Sequence, residues 1–454
     1  MRGWRRRLRL GVLARFQQPA QVVVGGFAAA VAVGTGLLSL PAATESGQRA
    51  AVVDAVFTAT SAVCVTGLVT VDTSGYWSRF GEIVILALIQ AGGLGIMTLA
   101  TLFTVLLAGR LGLRGRLLAQ VETKTLGLGD IRRLVRNIVL FSLLSEAVAA
   151  VVLTARFAVG YDEPFGSAVY HGVFHAVSAF NNAGFSLNTD SMIRYVADPW
   201  VTLTVAAAII IGGLGFPVVF ELARNWRRPG MWSVMTRITV FLTVTLLTAG
   251  TAVFTLAEYS NPATLGRLDA PARLLAGFFH SVNTRTAGFN SIDVSALRPE
   301  SLFTTDVLMF IGGGSAGTAG GIKVTTFGLL AFVIWSEMRG EPKVNVGRRR
   351  VPVSNQRQAL TVALLGIGAV TVSTFILLSL TAHSFDRVLF EAVSAFGTVG
   401  LSTGITADLP PAAALLLVGL MFLGRTGPLT LASALALRER TRRFELPEER
   451  TIVG

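Results

Sequence analysis

The 454-residue chain contains a single cysteine, Cys64, and only four histidines, His171, His175, His280 and His383. One thiol cannot form an intrachain disulfide, and a cysteine-based metal cluster is excluded with it. Charge is scarce as well: 14% of the residues are charged against 52% hydrophobic, and the mean hydropathy is +0.63. That balance belongs to a polytopic membrane protein, not to a water-soluble domain. Acidic residues are fewer than basic ones, 26 against 39, for a net charge of +13. The basic residues are spread over five segments separated by apolar runs, a pattern that orients a chain in a membrane and touches anionic lipid and argues against nucleic acid.

Apolar runs long enough to span fall near 20–40, 81–109, 137–160, 199–222, 236–257, 303–335, 358–382 and 411–437, each about 20 residues or more. The first follows a basic cluster but is too long, and lacks the small-residue cleavage motif, for a secretory signal. Between the members of each pair of spans lies a shorter apolar stretch, near 50–62, 166–179, 270–282 and 386–396. These are too short to cross a hydrocarbon core of about 30 Å. Of the 39 Lys and Arg residues, 28 fall in the N-terminal segment, the loops Arg110 to Arg136, Arg224 to Arg237 and Arg339 to Arg357, and the tail from Arg438. Basic residues stay cytoplasmic in short loops, so both termini are expected inside, with the short stretches entering from outside. No soluble domain is expected.

Each short stretch runs into a glycine turn: VCVTGLV (Val63 to Val69), FNNAGFSL (Phe180 to Leu187), TRTAGFNS (Thr284 to Ser291) and FGTVGLST (Phe396 to Thr403). Their glycines, Gly67, Gly184, Gly288 and Gly400, are separated by 117, 104 and 112 residues. A second glycine group follows each at an offset of 24 to 28: Gly92 and Gly93, Gly212 and Gly213, Gly312 and Gly313, and Gly424. One module of span, re-entrant half-helix, turn and span is therefore used four times, with boundaries at 1–115, 116–230, 231–345 and 346–454. The expected fold is an all-α polytopic membrane protein of eight spans around a central pore.

Non-helical backbone at membrane depth is tolerated only where it lines a wet cavity. Four such turns around one axis supply rings of backbone carbonyls, which replace the water shell of an alkali cation without a fixed charge to trap it. The candidate cation-binding residues are Val65, Thr66 and Gly67; Asn182, Ala183 and Gly184; Thr286, Ala287 and Gly288; and Thr398, Val399 and Gly400. Each half-helix directs its partially negative end inward, favouring a cation by about 0.3 to 1 kcal/mol. Asp72, Asp190 and Asp293 follow three of the glycines by five or six residues and are candidates for gathering cations at the mouth, or else ordinary turn aspartates.

The segment IGGGSAGTAGGIKVTT (Ile311 to Thr326) places six glycines in ten residues inside the second span of module three. The helix should break there, which makes Gly312, Gly313, Gly314, Ser315, Gly317, Thr318, Gly320, Gly321 and Lys323 candidates for an intramembrane gate; close helix packing is the alternative. Lys323 and Arg425 are cations inside apolar spans, functional candidates by that position. Gly313, Ser315 and Gly317 also match G-x-S-x-G, a serine hydrolase pattern, but the histidines lie toward the outer face, far from the depth expected for Ser315. GTAGGIK falls short of a phosphate-binding loop. A sodium- or proton-coupled secondary transporter with broken helices is the nearer rival, although its repeats are usually two and often inverted.

The motifs TATSAVCVTGL (Thr58 to Leu68), SAFNNAGFS (Ser178 to Ser186), NTRTAGFNS (Asn283 to Ser291) and SAFGTVGLSTG (Ser394 to Gly404) resemble, in order and over nearly the whole chain, those of the Trk/Ktr/HKT superfamily of potassium transporters. The Ktr-type membrane subunit of bacteria is the most similar kind. The resemblance implies K+ as the transported ion, no enzyme activity and no organic cofactor, and a place in the bacterial inner membrane. Glycine at all four filter positions goes with potassium preference in that family. Its intramembrane loop corresponds to the Gly312 segment, and its pore arginine, a barrier to resting flux, to Arg425. The resemblance further implies a homodimer with one pore per protomer, on a cytoplasmic ring of nucleotide-binding RCK subunits of the KtrA/TrkA kind. Basic loops such as Val344 to Arg350 offer docking surface for it.

Overall fold

The structure is a computed structural model that describes residues 19–110, 128–346, 349–427 and 430. The N-terminal basic cluster, the basic segment up to Lys124, Arg348 and the C-terminal tail lie outside the described residues. Fourteen helices of ten residues or more are present among the described residues. In chain order they are α1 (Pro19–Leu38), α2 (Val52–Val63), α3 (Arg79–Arg110), α4 (Leu128–Gly160), α5 (Phe165–Phe180), α6 (Pro199–Leu214), α7 (Phe216–Asn225), α8 (Val234–Glu258), α9 (Ala270–Asn283), α10 (Pro299–Phe310), α11 (Val324–Met338), α12 (Val353–Leu380), α13 (Phe385–Gly397) and α14 (Pro411–Thr426). The one strand pair among the described residues is the short antiparallel ladder of Asn345–Val346 with Arg349–Arg350.

Among the described residues four helices are individually long and apolar enough to cross a membrane, within α1, α4, α8 and α12, and a fifth arises if α6 and α7 form one bent span. Each of those four is the expected first span of a module. The four short stretches are the helices α2, α5, α9 and α13, of 12, 16, 14 and 13 residues. At 1.5 Å per residue the longest reaches about 24 Å, less than the hydrocarbon thickness.

The helix starts follow from local chemistry. Asp198 caps α6 by accepting from the N–H groups of Trp200 and Val201, with Pro199 in the first turn, where its missing N–H costs nothing. Ser233 and Asp269 cap α8 and α9 in the same way. The second spans differ more between modules than their apolar runs imply. The 199–222 run is not continuous: Gly215 (φ 88, ψ 140) breaks it into α6 and α7, bent by 100°. The 303–335 run is interrupted between Phe310 and Val324 by the glycine segment, as its composition predicts. In module four α14 ends at Gly427 with φ 84 and ψ 136, close to the Gly215 conformation.

Packing closes the chain into a circle. Within each module the first span and the half-helix pack together, as α1 on α2, α4 on α5, α8 on α9 and α12 on α13. The helix after each turn then packs on the next half-helix: α3 on α5, α6 on α9, α10 on α13 and, completing the cycle, α14 on α2. Burial is concentrated at the half-helices, where Phe57, Phe180, Phe279 and Phe396 are all fully enclosed. Val159, Leu256 and Phe375 point outward, as side chains do where lipid is the solvent and close van der Waals fit holds the helices together.

Candidate cation pathway

All four turns have one backbone pattern. Val65, Asn182, Thr286 and Thr398 are left-handed, with φ of 56°, 58°, 69° and 50°, and two residues later the glycines have φ of 91°, 71°, 77° and 93°. The residue between them folds back on its half-helix: the N–H groups of Thr66, Ala183 and Val399 donate to the carbonyls of Ser61, Ser178 and Ser394 at 2.7 to 2.8 Å, and that of Ala287 donates to Asn283 at 3.0 Å. Side chains brace the turns from behind. Ser61 Oγ accepts from the Gly67 N–H at 3.0 Å, Ser394 Oγ from Gly400 at 3.1 Å, and Asn283 Oδ1 from Phe289 at 3.0 Å, while Ser178 Oγ donates to the Phe185 carbonyl at 2.8 Å.

The turns form a closed ring. A Cβ placed on Gly67 would lie 2.4 Å from the Ala183 carbonyl oxygen, one on Gly184 2.7 Å from that of Ala287, one on Gly288 2.4 Å from that of Val399, and one on Gly400 2.1 Å from that of Thr66. Each glycine therefore abuts the middle carbonyl of the next turn, in the cyclic order one, two, three, four, one. No side chain fits at any of the four positions, and all four have a φ that L-residues rarely adopt.

The second glycine group has a separate packing role. A Cβ on Gly92, Gly212 or Gly424 would fall 2.0, 1.9 or 1.9 Å from the carbonyl oxygens of Val63, Phe180 and Phe396. Each of these carbonyls lies four residues before the ring glycine of its own module. These glycines let α3, α6 and α14 touch the ends of the half-helices α2, α5 and α13. In module three Gly312 instead faces the Gly320 carbonyl within its own loop.

Above the ring is a cavity of about 270 Å³ bordered by all four glycines and by Asp72, Ser186, Asn188, Ser402 and Thr406. Among the three candidate mouth aspartates only Asp72 lines it; Asp72 accepts from Thr189 Oγ1 of module two at 2.9 Å. Asp190 is paired with Arg194 at 2.8 Å, and Asp293 caps a short helical turn. Nearby, Asp198 joins α4 to α6 by accepting from Arg156 Nε at 2.7 Å and from Tyr161 at 2.9 Å. Burial pushes its carboxyl up, but the Arg156 and Tyr161 bonds outweigh this and hold it below the ordinary carboxylate range.

On the other side of the ring is the glycine segment. A Cβ on Gly320 would collide with Thr398 Oγ1 at 1.9 Å, and Gly321 approaches the backbone of Gly397, so the loop packs directly against turn four. Gly314 and Thr318 donate backbone N–H groups to the carbonyls of Gly213 and Gly212, at 2.7 and 3.1 Å, and Thr318 Oγ1 donates to Asn182 Oδ1 of turn two at 2.9 Å. Arg425 is buried and donates to the Thr318 carbonyl and, at 3.1 Å, to that of Gly92. Lys323 Nζ donates to the Ala319 carbonyl and at 3.3 Å to that of Gly320. The partners of both cations are loop and helix carbonyls; none of the ion pairs among the described residues includes either.

Arg285, which sequence patterns did not single out, belongs to the same group. It sits between α9 and Thr286, is buried, and donates to the Gly312 carbonyl at 3.2 Å and that of Thr243 at 3.5 Å. The only signal for it in the sequence is an arginine inside the motif NTRTAGFNS. Ser315 is bonded to Thr325 at 2.8 Å, whereas His175 meets Ser186 at 3.0 Å and His280 meets Thr305 at 3.1 Å. The G-x-S-x-G match therefore has no histidine base beside it.

A ring of four backbone turns at the meeting point of four half-helices, in an apolar helical protein, defines an ion-transport fold. The TrkH cation transport protein family model matches residues 16–228 and 231–443, and the chain belongs to that family. It is a transporter and not an enzyme, a multi-pass protein of the bacterial inner membrane. The Ktr system potassium uptake protein B of Vibrio alginolyticus is 40% identical over 92% of this chain and 91% of that protein. The protein of the same name from Bacillus subtilis is 40% identical over 93% and 94%. The potassium/sodium uptake protein NtpJ of Enterococcus hirae is 33% identical over 96% and 97%. The crystal structure of the potassium transporter TrkH from Vibrio parahaemolyticus shares the fold, with a TM-score of 0.73, 19% identity, and coverage of 92% of this chain and 84% of that one.

Proposed function

We propose that the chain is the ion-conducting membrane subunit of a potassium uptake system, and that K+ passes through the ring made by Val65 to Gly67, Asn182 to Gly184, Thr286 to Gly288 and Thr398 to Gly400. The single observation that carries this is the cyclic contact of four identically folded glycine turns, each against the next turn's carbonyl. In that arrangement stacked backbone oxygens take the place of the ion's water shell, and the half-helix dipoles add to the attraction. Four modules give eight spans, with α3, α6 with α7, α10 with α11, and α14 as the second members and both termini cytoplasmic.

The segment from Gly312 to Lys323 is the gate. It lies against turn four and is clamped by Arg425, whose charge raises the barrier to a cation below the ring. Opening requires the loop to leave the carbonyl contacts at Gly212 and Gly213. The relatives named as Ktr system proteins support a cytoplasmic regulatory partner of the KtrA type; the nucleotide-binding RCK ring and the homodimer with one pore per protomer rest on the family resemblance of the four glycine motifs. A second mode is sodium coupling, which the potassium/sodium uptake protein at 33% identity favours.

Rubidium-86 uptake into liposomes holding the purified protein, with K+, Na+ or choline as competitor, tests the proposal. Conduction predicts competition by K+ and none by choline, without an outward-facing sodium requirement. Uptake that needs external Na+ at every potential establishes the coupled mode, and competition by choline contradicts both.

A further inference from the structure

Three cations surround the glycine loop, Arg425 and Arg285 buried and Lys323 half-buried, and each donates to loop carbonyls: Arg425 to Thr318, Lys323 to Ala319 and Gly320, and Arg285 to Gly312. Arg285 differs from the others in its place in the chain. It is the residue immediately before Thr286, the left-handed position of turn three. A guanidinium does not lose its proton in a protein, so this charge stays buried and must be met by oxygen. The Gly312 carbonyl, at the first residue of the loop, is the nearer of its two acceptors.

Behind the guanidinium lies a cavity of about 20 Å³ bordered by Arg285, Asn182, Thr243, Gly213 and Gly313, which is room for one water. Three polar atoms of the bordering residues, Arg285 Nε, Asn182 Nδ2 and Thr243 Oγ1, have no protein partner. Two of them are donors that one water oxygen can accept from, and the hydroxyl can receive a proton from the same water. Asn182 is the left-handed residue of turn two. Turn two, turn three, the end of α6 at Gly213 and the loop at Gly313 thus border one cavity.

We infer that Arg285 is a positioning residue that couples the loop to the ring, holding turns two and three in register through the Gly312 carbonyl and a single bridging water. When the loop is displaced, the Gly312 carbonyl leaves, the guanidinium turns to new acceptors, and Thr286 and Asn182 shift with it. The ring then discriminates among cations differently in the closed and open states of the loop. This rests on the ring being the selectivity filter, and it extends that proposal by making selectivity depend on the gate.

The test is the ratio of the K+ and Na+ inhibition constants for rubidium-86 uptake, which does not depend on how much protein is active. Arg285→Gln is expected to lower discrimination about tenfold, a typical size for coupling between sites, and Arg285→Lys by less, because one donor to Gly312 remains. Arg425→Ala, which frees the loop at Thr318, should also lower it, and the double variant should be no worse than the lower single. An unchanged ratio in Arg285→Gln, or in Arg285→Lys and Arg425→Ala should the glutamine variant not fold, overturns the inference. Effects that multiply in the double variant also overturn it, since Arg285 would then act without the loop. Gly67→Ser separates the two claims: if it lowers the ratio while the Arg285 variants do not, only the coupling falls, and if it too has no effect the filter assignment falls.

Discussion

Replacing Gly67 by serine perturbs the ring in a way whose size the geometry sets. The backbone there has φ +91°, where a Cβ costs about 1 to 2 kcal/mol. The new Cβ lies 2.4 Å from the Ala183 oxygen and 3.1 Å from the Gly184 Cα, and relief to an ordinary contact of 3.4 Å moves turn two by about 1 Å. Turn two cannot retreat freely, because Gly184 already stands against the Ala287 carbonyl, and so the displacement passes round the ring. A shift of that size in an oxygen cage changes which cation fits, and the K+ preference over Na+ should fall about tenfold or more, the equivalent of about 1.4 kcal/mol. Gly47→Ser is the control: its φ is +67°, nothing lies within 4 Å of the added Cβ, and it does not border the cavity above the ring. It should carry the backbone cost without the clash and leave selectivity alone. Competition of K+ and Na+ against rubidium-86 uptake reads both. Equal loss of selectivity in the two variants, or none in folded Gly67→Ser, would refute the ring argument.

Arg425→Ala removes the clamp on the Thr318 carbonyl and a buried positive charge, and should raise unidirectional rubidium flux about tenfold, a barrier change of about 1.4 kcal/mol; unchanged flux at equal protein would remove the barrier role. Gly424→Ala forces a methyl to within 1.9 Å of the Phe396 carbonyl, and overpacking of that kind costs about 1 to 3 kcal/mol, so the detergent-solubilised protein should melt several degrees lower, while Gly419→Ala, open on that side, should not. The depressed Asp198 carboxyl gives stability that is complete above the ordinary carboxylate range and is lost as pH falls through its lowered value. Asp198→Asn should therefore lower the melting temperature at neutral pH and flatten its acid limb, and a parallel acid limb in the variant would show that other groups set it.

Much of this was legible in the chain. The glycine spacing located the four turns because a fold-back at membrane depth needs left-handed backbone at fixed places, and the six glycines after Ile311 located a helix break because no continuous helix uses them. Pattern alone did not reveal why the second glycines recur; only the approach of Gly92, Gly212 and Gly424 to half-helix carbonyls explains them. The break at Gly215 carries a signal that hydropathy alone passes over: Gly212, Gly213, Gly215 and Pro217 interrupt a helix inside a run that stays apolar throughout. Arg285 was hidden for another reason: its acceptors are the carbonyls of Thr243 and Gly312, and backbone oxygens leave no signature in sequence. The three recurring aspartates looked equivalent, yet only Asp72 borders the cavity above the ring: Asp190 is paired with Arg194, and Asp72 and Asp293 each cap a short helical turn, so capping alone does not tell them apart.

The most direct test of the central claim is to locate the ion itself, by anomalous scattering from crystals of the protein grown in thallium or rubidium salt. The ring predicts peaks on the axis enclosed by Gly67, Gly184, Gly288 and Gly400 of a single chain that weaken when Na+ replaces the heavy ion. Peaks only outside the ring, or none inside it while the protein still transports rubidium, would contradict it.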